Sequence, residues 1–253
     1  MKYIESKKNE EIKQFNKLNK TKEIKKTGTY LIEGFHLVRE ADQNDQKIVT
    51  ILATENHQDD QLIKKYYDQA IIISDDIAEQ LSETKTPQGI FAVIEVPERT
   101  EVTQLTGQWV FLANVQDPGN VGTIIRTADA AGYDGVITSL DTADIYQPKV
   151  QRSMQGSQFH LPIYRMDLTK ALELAKKSQL TVYGSEVNAE AVPYNTLEKV
   201  ENFALIMGNE AHGLNQATLS ATDKNIYIPI KGKAESLNVA VAAGVLMYGL
   251  QSF

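Results

Sequence analysis

Two glycine-bearing loops near the C-terminus constrain this chain more than any other feature. The first is Leu205-Ile206-Met207-Gly208-Asn209-Glu210-Ala211-His212-Gly213-Leu214, an apolar strand-like run that ends in a polar turn. The second starts at Ile228-Pro229-Ile230 and resumes at Glu235-Ser236-Leu237-Asn238-Val239-Ala240, where a helix of small residues opens. Glycine lets a backbone turn sharply or approach a ligand closely. Two such loops near each other in sequence point to a pocket built largely from main chain.

Apolar periodicity divides the chain into two units in which strands and helices alternate, an α/β pattern. In the first unit, Ile4 to Lys26 reads as a polar helix with Ile12, Phe15 and Leu18 on one face, ending near Gly28. Strands are expected at 30–34, 48–53, 70–73 and 90–96, with helices at 35–41, 61–68 and 75–82. The polar stretch Pro97 to Gly107 reads as a linker. The second unit opens on a buried-type strand at 109–113, followed by a helix over 121–131 whose Val121, Ile124, Ile125 and Ala128 share a face. Further strands are expected at 135–140, 181–184, 203–207 and 225–229, and helices at 147–154, 168–177 and 235–251. The sheet is expected to be mostly parallel.

Charge is laid out unevenly. Residues 1–26 carry nine Lys against four Glu, a local balance of +5 within a chain whose net charge is −7. A basic arm on an acidic body can steer toward phosphates, or it can be a solvated helix surface. The chain has no cysteine, which excludes disulfides and thiolate metal sites. Its four histidines, His36, His57, His160 and His212, lack the spacing of a zinc site. The apolar run Val239 to Leu250 is shorter than the ~20 residues of a membrane span, and the N-terminus lacks a signal-peptide core. The expectation is a cytoplasmic protein with no membrane and no metal.

The segment Asn114-Val115-Gln116-Asp117-Pro118-Gly119-Asn120-Val121-Gly122-Thr123 bridges a strand and a helix. Asn120 is positioned to cap that helix, whose exposed N–H groups make an anion site. Arg126 lies beside the apolar stripe and can grip phosphate, or it is a surface cation. A dinucleotide fingerprint fails here because Gly119 and Gly122 are too far apart and the third glycine is missing. A P-loop at Gly232-Lys233 fails because Tyr227 and Ala234 occupy required positions. Ser236 reads as the N-cap of the last helix, with Asn238 in its first turn; that helix is apolar on nearly every side and must be buried from several directions.

Taken in order, Asn114 to Gly132, Leu205 to Leu214 and Ile228 to Ala243 resemble the three motifs of the SpoU (TrmH) family of RNA ribose 2′-O-methyltransferases. Lys149 to Ser157 with Phe159-His160-Leu161-Pro162 is similar to the family's linking helix, Gln155 departing from the small residue usual there. Residues 1–98, with Glu33-Gly34 and Thr86-Pro87-Gln88-Gly89, look like the family's N-terminal substrate-binding domain, and 107–253 like its catalytic domain.

The resemblance implies an α/β chain: a C-terminal SPOUT-type parallel sheet tied in a deep trefoil knot, with a smaller N-terminal α/β RNA-binding domain of the ribosomal-protein type. It implies S-adenosyl-L-methionine as cofactor, a homodimer, and RNA as substrate, with large-subunit ribosomal RNA preferred over transfer RNA. It places Gly208, Ile228 and Leu237 at cofactor-binding positions, and Asn120, Arg126, Glu210, Ser236 and Asn238 at catalytic positions. A catalytically silent RNA-binding protein on the same fold is the alternative from another class.

Overall fold

Asn9 breaks the long first helix that the sequence pattern predicts. Its side chain accepts from the N–H of Glu11 at 2.9 Å and caps helix α1, Glu10–Lys17. A second helix, α2, follows at Thr21–Thr27 and ends on Gly28 in the left-handed conformation (φ 67°). Ile4 sits in a short strand, β1 (Lys2–Ile4), instead of on a helix. The expected face survives the break, with Ile12 and Leu18 buried and Phe15 packed beside them.

The computed structural model describes residues 1–98 and 101–251, so the linker expected over 97–107 lies partly outside them. After α2 come β2 (Thr29–Glu33), α3 (Phe35–Gln43), β3 (Ile48–Thr54), α4 (Gln61–Lys65), β4 (Ala70–Ile73), α5 (Asp75–Leu81) and β5 (Ile90–Glu95). They form a mixed five-stranded sheet in the order β1-β4-β3-β5-β2, with β5 antiparallel to both neighbours. Strand side chains alternate between faces. Tyr30, Ile32 and Ile51 pack with α3 residues Leu37 and Val38, whereas Leu31 and Leu52 pack with Ile12 of α1 and Ile77 of α5. Both faces of this sheet are therefore covered.

The second sheet has seven strands, all parallel, in the order β10-β12-β9-β11-β6-β7-β8. Its elements run β6 (Gln108–Leu112), α6 (Pro118–Ala130), β7 (Gly135–Thr138), α7 (Pro148–Met154), β8 (Ile163–Arg165), α8 (Leu168–Lys177) and β9 (Thr181–Ser185). Then come β10 (Val192–Pro193), β11 (Phe203–Met207), α9 (Gln216–Ser220), β12 (Lys224–Tyr227) and α10 (Val239–Leu250). Every residue of β11 is buried, as a parallel strand covered on both faces requires. β8, β10 and α9 are too short to leave a period in the sequence.

By packing, the chain forms two compact units: Met1–Glu98 with Tyr146–Phe159, and the stretch up to Ile145 with His160 onward. Helix α7 thus packs with the first unit although it follows β7 in sequence. Gln151 of α7 is buried, its amide donating to the carbonyls of Tyr146 (2.6 Å) and Leu31 (3.3 Å).

From β6 the chain moves through α6 to β7 on one side; from β11 it moves through α9 to β12 on the other. In open parallel sheets, ligands bind outside the carboxyl ends of strands at such a reversal. Asn114 follows β6 and Gly208 follows β11, so both lie at that switch point.

Candidate active site

The loop after β6 is held by its own polar atoms. Asn114 takes a left-handed conformation (φ 59°), donates its N–H to Ser139 Oγ at 2.9 Å and accepts from Asn209 Nδ2 at 2.9 Å. Asp117, not Asn120, caps α6: its carboxylate accepts the N–H of Asn120 at 2.9 Å, and Pro118 occupies the first helical turn, where a missing N–H costs nothing. The expected capping role of Asn120 is thereby corrected, because the Asp-Pro pair starts the helix earlier. The Asn120 side chain is free for other work. Its Nδ2 donates to Glu210 Oε1 at 3.1 Å, and its Oδ1 accepts from Asn238 Nδ2 at 3.0 Å.

The loop after β11 is a closed turn. Asn209 and Gly213 exchange backbone hydrogen bonds at 3.1 and 2.9 Å, while Asn209 Oδ1 accepts the N–H groups of Ala211 and His212. A Cβ on Gly208 would lie 2.6 Å from the carbonyl carbon of Gly213, so the turn closes only around glycine. Gly213 itself has φ 62°. Glu210 projects from this turn and accepts the N–H groups of Gln116 (3.2 Å) and Asp117 (3.1 Å) as well as the Asn120 amide. Partial burial pushes its carboxyl up, but the bonds from Asn120 and from the backbone of Glu210, Asp117 and Gln116 outweigh this and hold it below the ordinary value.

The loop after β12 differs in kind. Among the described residues, the main chain from Ile230 to Leu237 makes no hydrogen bond to other main chain. Ile228 is half-buried; Ile230, Ser236, Leu237 and Asn238 are exposed. Ser236 does not cap the last helix. Asn238 does, accepting the N–H groups of Ala240 (2.9 Å) and Val241 (3.3 Å), so α10 begins later than expected. Asn238 caps α10 with its oxygen and donates its amide NH2 to Asn120.

The site residues therefore sort into two groups. Asn120, Glu210 and Asn238 form one hydrogen-bonded chain linking the three loops. Arg126, Ser236 and Leu237 stand outside it. Arg126 lies on α6 about 9 Å further along the axis; it is exposed and has no ion pair or hydrogen bond among the described residues. Asn114, Asp117 and Asn209 were missed as positioning residues, although Asp before Pro is a helix-start signal. Glu186 was also missed. It follows β9, accepts the N–H of Leu214 at 3.0 Å and packs against Gly213.

A loop with free main-chain donors and acceptors next to exposed Ile230 and Leu237 suits a flat ligand with a polar edge and apolar faces, as an adenine has. The donor set thus fits a nucleoside cofactor.

The chain is similar to known proteins along nearly its whole length. Residues 108–248 match the SpoU rRNA Methylase family, and residues 9–92 match the MRM3-like substrate binding domain. The chain belongs to the SpoU rRNA methylase family. It is 43% identical to the Bacillus subtilis (strain 168) 23S rRNA (guanosine(2553)-2′-O)-methyltransferase RlmP, over 99% of this chain and 100% of that one. An AdoMet-bound rRNA methyltransferase from Sinorhizobium meliloti superposes with a TM-score of 0.89 at 29% identity, covering 98% of this chain and 97% of that one. The SpoU methyltransferase AviRb of Streptomyces viridochromogenes, in complex with AdoMet, gives 0.82 at 26% identity, over 96% of this chain and 97% of that one.

Proposed function

We propose that this chain transfers the methyl group of S-adenosylmethionine to a ribose 2′-oxygen of large-subunit ribosomal RNA. The observation that carries the reading is the Glu210–Asn120–Asn238 chain of hydrogen bonds, which joins all three motif loops at the switch point of the parallel sheet. Full-length similarity to a 23S rRNA 2′-O-methyltransferase supports the ribosomal substrate.

Bound S-adenosylmethionine supplies a methyl on a positively charged sulfur and a neutral leaving group, so the protein's tasks are alignment and proton removal. Main chain at Gly208, Ile228 and Leu237 would hold the cofactor's adenine and ribose. Glu210 is held in its ionised form by donors from Gln116, Asp117 and Asn120, which makes it a brace for the loop after β6 and a poor base. A carboxylate only accepts, so Asn120 must turn its NH2 toward Glu210 and its oxygen toward Asn238. That fixes the amide beside the incoming ribose. Ser236 supplies a hydroxyl on the same loop. Arg126 cannot serve as a base, because a guanidinium stays protonated. Its free fork grips an RNA phosphate and stabilises charge growing on the 2′-oxygen, while the proton leaves to phosphate or water.

The first unit recognises folded RNA in this reading, with the lysines of α1 and α2 on phosphates. We also infer a homodimer through α10, a trefoil knot formed where the chain returns from β12 to α10, and a cytoplasmic setting. Support for the dimer is apolar exposure: Val241 and Tyr248, on one side of α10, are 53% and 45% exposed. Among the described residues no helix is long and apolar enough to cross a membrane.

Mapping 2′-O-methyl sites in cellular ribosomal RNA with and without this protein tests the function. Loss of one large-subunit site in the deletion is expected. An unchanged map, together with a purified protein that binds RNA but not S-adenosylmethionine, would establish the silent RNA-binding alternative.

A further inference from the structure

Beside the corner between α1 and α2, the first unit carries a groove of about 500 Å³. Lys13, Lys17 and Lys20 form one wall, and the half-buried amides of Asn16, Asn19 and Gln80 lie among its lining. Lys13 is paired with Glu10 at 2.7 Å, whereas no side-chain hydrogen bond or ion pair engages Lys17 or Lys20 among the described residues. One acidic group faces the groove, Glu83, and the Arg152 guanidinium stands 3.7 Å from it, so its charge is largely offset.

A second observation points to a ligand at the same place. Asn19, Leu81 and Glu83 also line a narrow cavity that runs inward to Gln151 and Arg152 of α7. Gln151 is 2% exposed, and its Oε1 has no hydrogen-bond partner; neither has the buried Nη1 of Arg152. Buried polar atoms are almost always paired, and this cavity of about 20 Å³ leaves the open acceptor and donor room for one group the size of a hydroxyl or a water.

We propose that this groove is a subsite for one unstacked nucleotide of a single-stranded RNA segment. The lysines hold the flanking phosphates, and the amides of Asn16, Asn19 and Gln80 read the base edge or ribose hydroxyl. The volume is within the ~300–1,000 Å³ of small-ligand pockets, and it cannot admit a duplex. Amides present both donors and acceptors, which match the edges that an unpaired base exposes and that a duplex hides. The inference rests on the RNA-methylating reading and names where that substrate is gripped outside the catalytic unit.

The test uses the full-length protein, a short mixed-sequence single-stranded oligoribonucleotide and an RNA duplex of equal length. Asn19→Ala should weaken single-strand binding about tenfold with an unchanged salt slope. The Lys17→Gln/Lys20→Gln double variant should weaken it and lower the slope by ~0.7 per lysine. Neither should change S-adenosylmethionine affinity, and duplex binding should be weak throughout. Equal loss on single strand and duplex with the lysine variant, and none with Asn19→Ala, would make the groove an unspecific basic surface and overturn the subsite. Asn19→Asp, which keeps the shape and adds a negative charge, guards against a folding artefact: it must weaken binding further, and single-strand affinity equal to wild type overturns the proposal. Methyl incorporation into large-subunit ribosomal RNA, measured on the unaltered protein, judges the underlying function separately.

Discussion

Asn238 donates its side-chain amide to Asn120 Oδ1 at 3.0 Å while its own Oδ1 caps α10. A single asparagine thus ties the first turn of α6 to the first turn of α10, two helices that pack on each other. Aspartate would still cap α10, since carboxylates are good caps, but it cannot donate to Asn120. Asn238→Asp is therefore expected to melt within a few degrees of the parent and to lose at least tenfold in kcat for methyl transfer, ~1.4 kcal/mol of transition-state stabilisation. Thermal melting alongside single-turnover methylation checks both halves. A stable variant with full turnover would remove this bond from the mechanism.

Glu210 gives a prediction in pH. Its folded-state pKa lies below the ordinary value, so its ionised form favours the folded state. That contribution is complete above the ordinary glutamate range of ~4.3 and is lost as pH falls through the depressed value. Glu210→Gln should lower the melting temperature at neutral pH, and the gap from the parent should narrow on acidification below about pH 4. Methyl transfer by the parent should show no inflection between pH 5 and 8 from this group, those limits being roughly the span well above a carboxylate's titration. A gap that widens in acid would contradict the assigned direction.

Arg126 is exposed and unpaired, so its removal should leave the fold untouched; surface changes away from packing are usually within ~0.5 kcal/mol. Arg126→Ala is expected to abolish methyl transfer with S-adenosylmethionine affinity unchanged in calorimetry. Arg126→Lys should recover little, because an ammonium lacks the planar fork that fits a phosphate. Near-normal turnover in either variant removes Arg126 from the chemistry.

These roles show where the sequence was readable. β11 was visible to the residue because an unbroken apolar run of five has few other fates in a parallel sheet. α8 was equally plain, with Asp167 as a strong cap before an amphipathic run. Helix starts were misread where two capping residues compete within a few positions: Asp117 against Asn120, and Asn238 against Ser236. Geometry, not residue type, decides those cases. The packing of α7 with the first unit was illegible for another reason. It depends on Gln151 finding the carbonyls of Leu31 and Tyr146, a contact 120 residues distant in one case, and no local period encodes that.

Glu186 extends the turn after β11 by holding the N–H of Leu214 and filling the space beside Gly213. We expect Glu186→Ala to loosen that turn, raising KM for S-adenosylmethionine about tenfold with kcat changed less than twofold, by the relation of about 1.4 kcal/mol to each factor of ten. Glu186→Gln keeps one acceptor oxygen and should recover most of the affinity. Equal falls in kcat and affinity, without rescue by Gln, would indicate a general loss of fold.

Val241 and Tyr248 of α10 are seven positions apart and so share a face, with half-buried Val245 between them. Apolar side chains spaced in this way along one helix make a stripe that water tolerates poorly, and an isologous contact would cover it with the same stripe of a second copy. Val241→Glu places two like charges against each other across such a two-fold contact, but leaves the packing of Ala243, Leu246 and Met247 on the inner face intact. Sedimentation should find the parent as a dimer and the variant shifted toward monomer, with secondary structure retained by circular dichroism. Because Asn238 lies one turn before this stripe and is bonded to Asn120, a monomeric variant should also lose methyl transfer. A variant that stays dimeric and active would move the interface away from α10.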